Sequence, residues 1–259
     1  MKKFLIIAAA AIAGTISASA ATPQLIGRRG SAYGVENSKE AFRNGARMGF
    51  DMMECHVRLT ADSVYVAAHD GKTARLGGDM KIESSTLPQL LTETYTQTID
   101  GNTYSGSLLT VAEYLEFCRD NGKTPLLHLK TMAKKDTDLS PLPGLVELID
   151  SLNLRDECVI LTASKSYADY FLNSAPGLKV VFQADGKWRE LAAWIIERNL
   201  DVDIKQDFID QECIDTFHGA GLKIMTWTVN TIDDYLRLAD LGVDQMITDY
   251  LGPTSITIE

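Results

Sequence analysis

The sequence predicts an α/β fold, a (β/α)8 TIM barrel with a small insertion after the third strand. Short apolar runs of strand character alternate with amphipathic helical stretches almost to the end of the chain. Eight such units in one chain argue for a parallel barrel. The competing arrangement, a doubly wound open sheet, would call for a Gly-rich dinucleotide fingerprint, and the chain has none. A length of 259 residues suits one such barrel.

The chain opens with Lys2 and Lys3, a wholly apolar run from Phe4 to Ala13, and the small-residue site Ala18-Ser19-Ala20. This pattern reads as a secretory signal peptide over residues 1–20, too short to span a bilayer, and leaves residues 21–259 as a single domain. A buried helix is the poorer reading, because lysines followed by alanines make no amphipathic stripe. Barrel strands are expected at residues 25–27, 51–58, 125–130, 158–162, 179–183, 201–206, 222–229 and 244–248. Between them lie helices such as "SKEAFRNGARMG", "TVAEYLEFCRDNG", "WRELAAWIIERNL" and "TIDDYLRLADLG", several of which close on glycine.

One run breaks the alternation. Residues 64–67 follow the second strand after little more than "TADS", which leaves room for a hairpin and not for a helix. A turn centred between Ala61 and Asp62 sets Glu54 opposite His69. Residues 71–109 are polar and rich in turn residues. A stretch of this length is usually a functional loop or small insertion, here placed above the barrel mouth.

Composition narrows the function. The net charge is −10, and loss of the two lysines in residues 1–20 makes it −12. Such a chain does not attract nucleic acid or an anionic membrane through its overall field, so a bound anion needs a local basic pocket. Cys55, Cys118, Cys158 and Cys213 sit in apolar runs at wide spacings, with no C-x-x-C. They read as buried free thiols rather than as a disulfide framework, a zinc site or a redox pair.

Barrel enzymes carry their chemistry at the C-terminal ends of the strands. There the sequence places Arg28 and Arg29, then Glu54 and His56, then His69 and Asp70 on the hairpin arm, then His128 and Lys130. Later strands add Lys205, Trp227, Thr228, Asn230, Thr248 and Asp249. Glu54 and His56 alternate along a strand and so share a face. They fit a metal site or a mutually hydrogen-bonded polar layer equally well. His128 and Lys130 repeat that spacing, which packing alone explains poorly, because unpaired buried polar groups are costly. His69 taken alone fits a structural role, and Trp227 fits ordinary core. His218 reads as a helix-end residue. Arg28 and Arg29 fit salt bridges to Glu36 or Asp249 almost as well as they fit anion binding.

Taken together, Arg28-Arg29-Gly30, Glu36-Asn37-Ser38, Glu54-Cys55-His56, His69-Asp70, His128-Leu129-Lys130 and Trp227-Thr228-Val229-Asn230 resemble the glycerophosphodiester phosphodiesterases. These belong to the wider group of phosphoinositide-phospholipase-C-like barrels. The family pattern reads His-Arg-Gly, Glu-Asn-Thr, Glu-x-Asp, His-Asp, Glu-x-Lys and Trp-Thr-Val-Asn in the same order. The resemblance implies a phosphoric diester hydrolase with two histidines as general base and acid, and three carboxylates on a divalent metal. This chain departs at three of those positions: Arg28 replaces a histidine, and His56 and His128 replace two carboxylates. Arginine stays protonated, so Arg28 cannot be a general base.

Two physical accounts fit the departures. In one, Glu54, His56 and His128 bind zinc or another transition metal in place of magnesium or calcium. In the other there is no metal. Two neutral histidines then remove two negative charges, and Arg28, Arg29 and Lys130 form a cationic pocket that takes phosphate directly. The second account is the favoured one, because Arg28 repels a cation already short of carboxylates. The expected catalytic set is then His69 as acid, Glu54 as base and Arg28 as an electrostatic stabiliser. Arg29, Lys130, Glu36 and Trp227 are expected to bind substrate. The expected protein is exported to the periplasm or secreted, without stable membrane insertion. It hydrolyses or binds small phosphodiesters derived from phospholipids. The alternative is a catalytically inactive barrel that binds phosphate esters through Arg28, Arg29 and Lys130.

Overall fold

The computed structural model describes residues 22–132, 135 and 137–253, so the expected signal peptide lies outside the described residues. The barrel strands are β1 (Gln24–Gly27), β2 (Met52–Leu59), β6 (Thr124–Leu129), β7 (Val159–Thr162), β8 (Lys179–Gln183), β9 (Asp201–Lys205), β10 (Ile224–Trp227) and β11 (Gln245–Thr248). They pair in parallel in the order β1-β2-β6-β7-β8-β9-β10-β11. Closure comes from Ile26 beside both Met52 and Ile247. The helices α1 (Lys39–Arg47), α3 (Val111–Asp120), α4 (Leu142–Ser151), α5 (Lys165–Ser174), α6 (Trp188–Glu197), α7 (Gln211–His218) and α8 (Ile232–Leu241) lie between strands along the chain.

Alternation along the strands sorts the side chains. On β2, Met53, Cys55 and Val57 turn outward into the large core shared with the helices, while Met52 turns inward. Ile26, Met52, Leu126, Val159, Leu161, Val181, Met225 and Ile247 fill the barrel as one apolar plug. Glu54 and His56 follow Met52 on the inward face, and His128 and Lys130 follow Leu126. The plug thus forms a dry floor, and the polar residues stand on it toward the strand C-termini.

Helix starts are capped as the sequence suggests. Ser38, Thr110, Ser164, Asp210 and Thr231 each accept a backbone N–H of the first turn, and Thr110 with Glu113 completes a capping box. All four cysteines are buried and free, in agreement with the apolar runs that carry them.

The hairpin is present, but its register differs from the expected one. β3 (Tyr65–Ala67) pairs antiparallel with β2 as Val57↔Ala67, Arg58↔Val66 and Leu59↔Tyr65. A two-residue turn at Ala61-Asp62 would place Glu54 against His69. The loop instead has three residues, with Thr60 N–H on the Val64 carbonyl at 3.0 Å and Ser63 at φ +61°. A three-residue hairpin loop ends on such a left-handed residue. The added residue slips the register by one. His69 therefore stands beside His56, with ring centroids 4.7 Å apart.

The insertion is more ordered than its polar composition suggests. It holds α2 (Leu87–Leu90) and a hairpin of β4 (Tyr95–Ile99) and β5 (Asn102–Gly106), turned at Asp100-Gly101 with φ +49° and +78°. Asp-Gly is a strong hairpin signal that a compositional reading passes over. A small core of Val66, Ile82, Leu90, Tyr95 and Leu108 seats the insertion on the barrel, joined by Val35 from the loop after β1.

Candidate active site

The loop after β1 delivers the two arginines. Arg29 adopts φ +50° and Gly30 φ +94°. A Cβ on Gly30 would stand 2.7 Å from the Ala41 carbonyl carbon, so the turn packs directly under the first turn of α1. The same loop carries Asn37, whose Oδ1 accepts the His56 N–H at 3.0 Å. The Glu36-Asn37-Ser38 motif is thereby tied to the second strand by a side-chain-to-backbone hydrogen bond.

Glu54, His56, His128 and Lys130 form a buried chain of contacts. Register pairs His56 with His128 across β2 and β6, and their rings lie 4.6 Å apart. Glu54 Oε1 lies 2.8 Å from His128 Nδ1, and Lys130 Nζ lies 3.2 Å from His128 Nε2. With the proton on Nδ1, the imidazole donates to Glu54 and accepts from the Lys130 ammonium, so both ring nitrogens are satisfied. Glu54 Oε2 and His56 Nδ1 are buried without a hydrogen-bond partner.

The charges follow from this packing. Burial alone would raise the Glu54 carboxyl, but His128 and the positive charges of Arg29 and Arg28 outweigh it and hold Glu54 ionised. Burial keeps His56 well below the ordinary histidine value, helped by His128 and Lys130. Burial also lowers His128 against the pull of Glu54. Lys130 is brought down to about 8, first by burial. His69 is held down to about 4 by burial and by Arg29, although Asp70 Oδ1 lies 2.6 Å from its Nδ1.

The arginines pair as the simpler sequence reading allowed. Arg28 Nη1 lies 3.2 Å from Asp249, which also accepts from Asn230 at 2.8 Å. Arg29 Nη1 donates to Glu36 Oε2 at 2.7 Å. These bridges do not consume the guanidiniums, since Arg29 Nε is buried without a partner. Arg75 is a residue that motif reading missed. It grips both oxygens of Glu36, at 2.7 and 2.5 Å, and Asp70 at 2.6 Å. It ties the insertion to both motif loops, and no motif or periodicity in the sequence singles it out.

These residues surround an open-mouthed cavity over the barrel floor. Arg28, Arg29, Glu54, His56, His69, His128, Lys130 and Trp227 all line it. Trp227 lines the pocket as well as the core. It packs on the apolar plug and turns an unpartnered Nε1 into the same buried region. Gln183 and Asp185 complete the wall and were not foreseen. Glu36 stands outside this cavity and acts on it through Arg29. Lys205 is not among its lining residues and pairs with Asp207, and His218 pairs with Asp244 at a helix end.

Glu54, His56 and His128 place one ligand atom each within 4.8 Å of one another, the geometry of a candidate metal centre. The donor set is one carboxylate and two imidazoles, next to three cationic side chains. It does not fit magnesium or calcium, which take six or more oxygens.

Similarities to known proteins bear on this architecture. The Glycerophosphoryl diester phosphodiesterase family matches residues 27–252. A glycerophosphodiester phosphodiesterase of Caldanaerobacter subterraneus is 25% identical over 246 residues, covering 87% of this chain and 93% of its own. An Oleispira antarctica phosphodiesterase, solved with the product sn-glycerol-3-phosphate, superposes with a TM-score of 0.76 at 20% identity, over 89% of this chain and 94% of that one. A glycerophosphodiester phosphodiesterase from Parabacteroides distasonis superposes at 0.74 and 20% identity, over 90% and 95% of the two chains. With the motif order, the closed barrel and the match across nearly the whole described chain in hand, the protein belongs to the glycerophosphoryl diester phosphodiesterase family, a family of phosphoric diester hydrolases.

Proposed function

We propose that this family member is exported and hydrolyses small phosphodiesters derived from phospholipids in a cationic pocket that works without a divalent metal. The observation that carries the reading is the Lys130–His128–Glu54 chain. An ammonium group occupies the outer nitrogen of His128 at 3.2 Å, and the inner nitrogen is bonded to Glu54. A metal ligand needs a free lone pair directed at the ion, and neither nitrogen offers one in this arrangement. Arg28, Arg29 and Lys130 supply instead the positive charge that neutralises a phosphodiester and its transition state. Export rests on the basic, apolar and small-residue pattern of residues 1–20. Among the described residues no helix is long and apolar enough to cross a membrane.

His69 is the proton carrier in this reading. Its Nδ1–H faces Asp70, which leaves the Nε2 lone pair for the cavity. A histidine in this state first accepts a proton from the attacking hydroxyl or water. It then returns that proton to the leaving oxygen as the P–O bond breaks. Its role is therefore base and then acid, rather than acid from the start with Glu54 as base. Glu54 is buried and ionised, and it orients His128.

The catalytically inactive alternative draws on Arg28, which cannot accept a proton. A transition-metal alternative draws on the unpartnered Glu54 Oε2 and His56 Nδ1. One experiment separates the three: metal content by elemental analysis, with hydrolysis of glycerophosphocholine assayed on the same sample. The expected result is no bound metal and chelator-insensitive hydrolysis that falls about 10²–10⁴-fold in His69→Ala. One zinc or iron per chain, lost in the His56→Ala/His128→Ala variant, overturns the metal-free pocket. Phosphate-ester binding lost in Arg28→Ala, without any turnover, makes the protein a binding barrel.

A further inference from the structure

Arg28 and Arg29 line a second cavity as well as the one over the barrel floor. This space is open on one side and lies against the insertion. Its wall includes Gln97 and Ile99 of β4, Arg75, and Asp249 with Tyr250 just after β11. A phosphodiester has two alcohol arms, and two cavities meet at one pair of guanidiniums. Arg29 keeps a partnerless Nε on a side chain only 10% exposed, so a built and unsatisfied donor stands at the junction.

The second cavity also has a defined chemistry. Its two carboxylates are engaged: Glu36 holds Arg29 and Arg75, and Asp249 holds Arg28 and Asn230. Arg75 also pairs with Asp70, so the three guanidiniums are matched by three carboxylates, and Arg29 Nε is left as a donor. Gln97 uses its Oε1 to accept the Glu36 N–H at 2.9 Å, which leaves its amide NH2 as a donor. Tyr250 adds a phenol, and among the described residues it is the single aromatic in the wall, so these residues form no cage for a quaternary ammonium. We infer that this cavity receives the second alcohol arm of the diester and selects a polyhydroxylated arm over a quaternary ammonium. The inference rests on the phosphodiester reading above and names its head-group class.

The test is calorimetric titration of the protein in a His69→Ala background, so that diesters persist, with inorganic phosphate, glycerophosphoinositol and glycerophosphocholine. The inositol ester is expected to bind at least about tenfold more tightly than the choline ester. Gln97→Glu keeps the acceptor for the Glu36 N–H and adds a carboxylate to the cavity. It is expected to shrink that ratio by about tenfold, and any common effect on the phosphate cancels in the ratio. Ile99→Trp, which fills the space, should weaken both diesters and leave inorganic phosphate unchanged. Equal affinity for the two diesters, or a ratio indifferent to Gln97→Glu, with phosphate binding intact, refutes the subsite alone. Absence of binding by all three ligands refutes the phosphodiester reading and the subsite with it.

Discussion

Replacing Glu36 by glutamine tests whether the insertion and the first motif are held by one buried charge. The Glu36 side chain is 7% exposed and accepts from Arg29, 10% exposed, and from Arg75, 42% exposed. An amide keeps the shape but turns an NH2 group toward the guanidinium donors and leaves Arg29 buried without a counter-charge. Breaking a buried ion pair by removing one partner costs roughly 3–5 kcal/mol, and a half-exposed pair such as Arg75–Glu36 adds under about 1 kcal/mol. The lower end, about 3 kcal/mol, is the expected loss. It corresponds to a fall in melting temperature of roughly 6–12 °C for a domain of this size. Burial alone would raise the Glu36 pKa, but the Arg75 hydrogen bond and both arginine charges lower it overall. The wild-type pair therefore contributes fully above the ordinary glutamate range and is lost as the pH falls through the depressed folded value. Urea and thermal unfolding at neutral and acid pH measure both effects. A loss under about 1 kcal/mol at pH 7, or a gap between the proteins that widens on acidification, would show that Glu36 is not the clamp.

Two further outcomes follow from buried groups. Asp203 is fully buried, has an unpartnered Oδ1, and is pushed well above the ordinary aspartate value by burial, against a hydrogen bond from Gln183. Asp203→Asn is expected to stabilise the protein at pH 7, with a gain that fades toward acid pH, where the unfolded aspartate is also protonated. A destabilised variant at pH 7 would assign the acid a structural role that its geometry does not reveal. The four buried thiols are expected to stay unreactive toward a thiol reagent in the native state and to titrate as four on denaturation. Fewer than four would reveal a disulfide.

The barrel was legible because its signals are periodic and redundant. Inward and outward residues alternate along strands such as Met52–Leu59, and helix caps such as Thr110 with Glu113 mark the units between them. The strand ends were legible for the same reason, since alternation predicts that Glu54, His56, His128 and Lys130 face inward. What escaped depends on single residues or on distant contacts. The hairpin register turned on Ser63 taking a left-handed conformation, which no periodicity reports. Arg75 escaped because its partners Glu36 and Asp70 meet it only when the insertion folds back. Gln183 ends β8 and Asp185 stands in the short turn after it, and their types alone did not distinguish them from loop polarity.

The three departures from the family pattern form one electrostatic unit, and this makes a prediction that treats them together. Restoring a carboxylate by His128→Glu alone puts a second carboxylate beside Glu54, removes the Nδ1 donor that now holds Glu54, and supplies no ion. Two buried carboxylates in contact cannot both stay ionised, so one takes up a proton. The single variant should be destabilised and still fail to bind magnesium or calcium. His56→Asp added to it creates three carboxylates, but Arg28 still faces the site. Only the combination with Arg28→His removes the opposing cation, and a hard divalent ion then offsets the three negative charges. Thermal stability with and without calcium or magnesium reads this directly. The triple variant should gain stability on adding the ion, while the wild type should not respond. A single variant that binds the ion as well as the triple one would mean that the substitutions act independently. Arg28 would then owe its place to the Asp249 bridge and not to the loss of a metal.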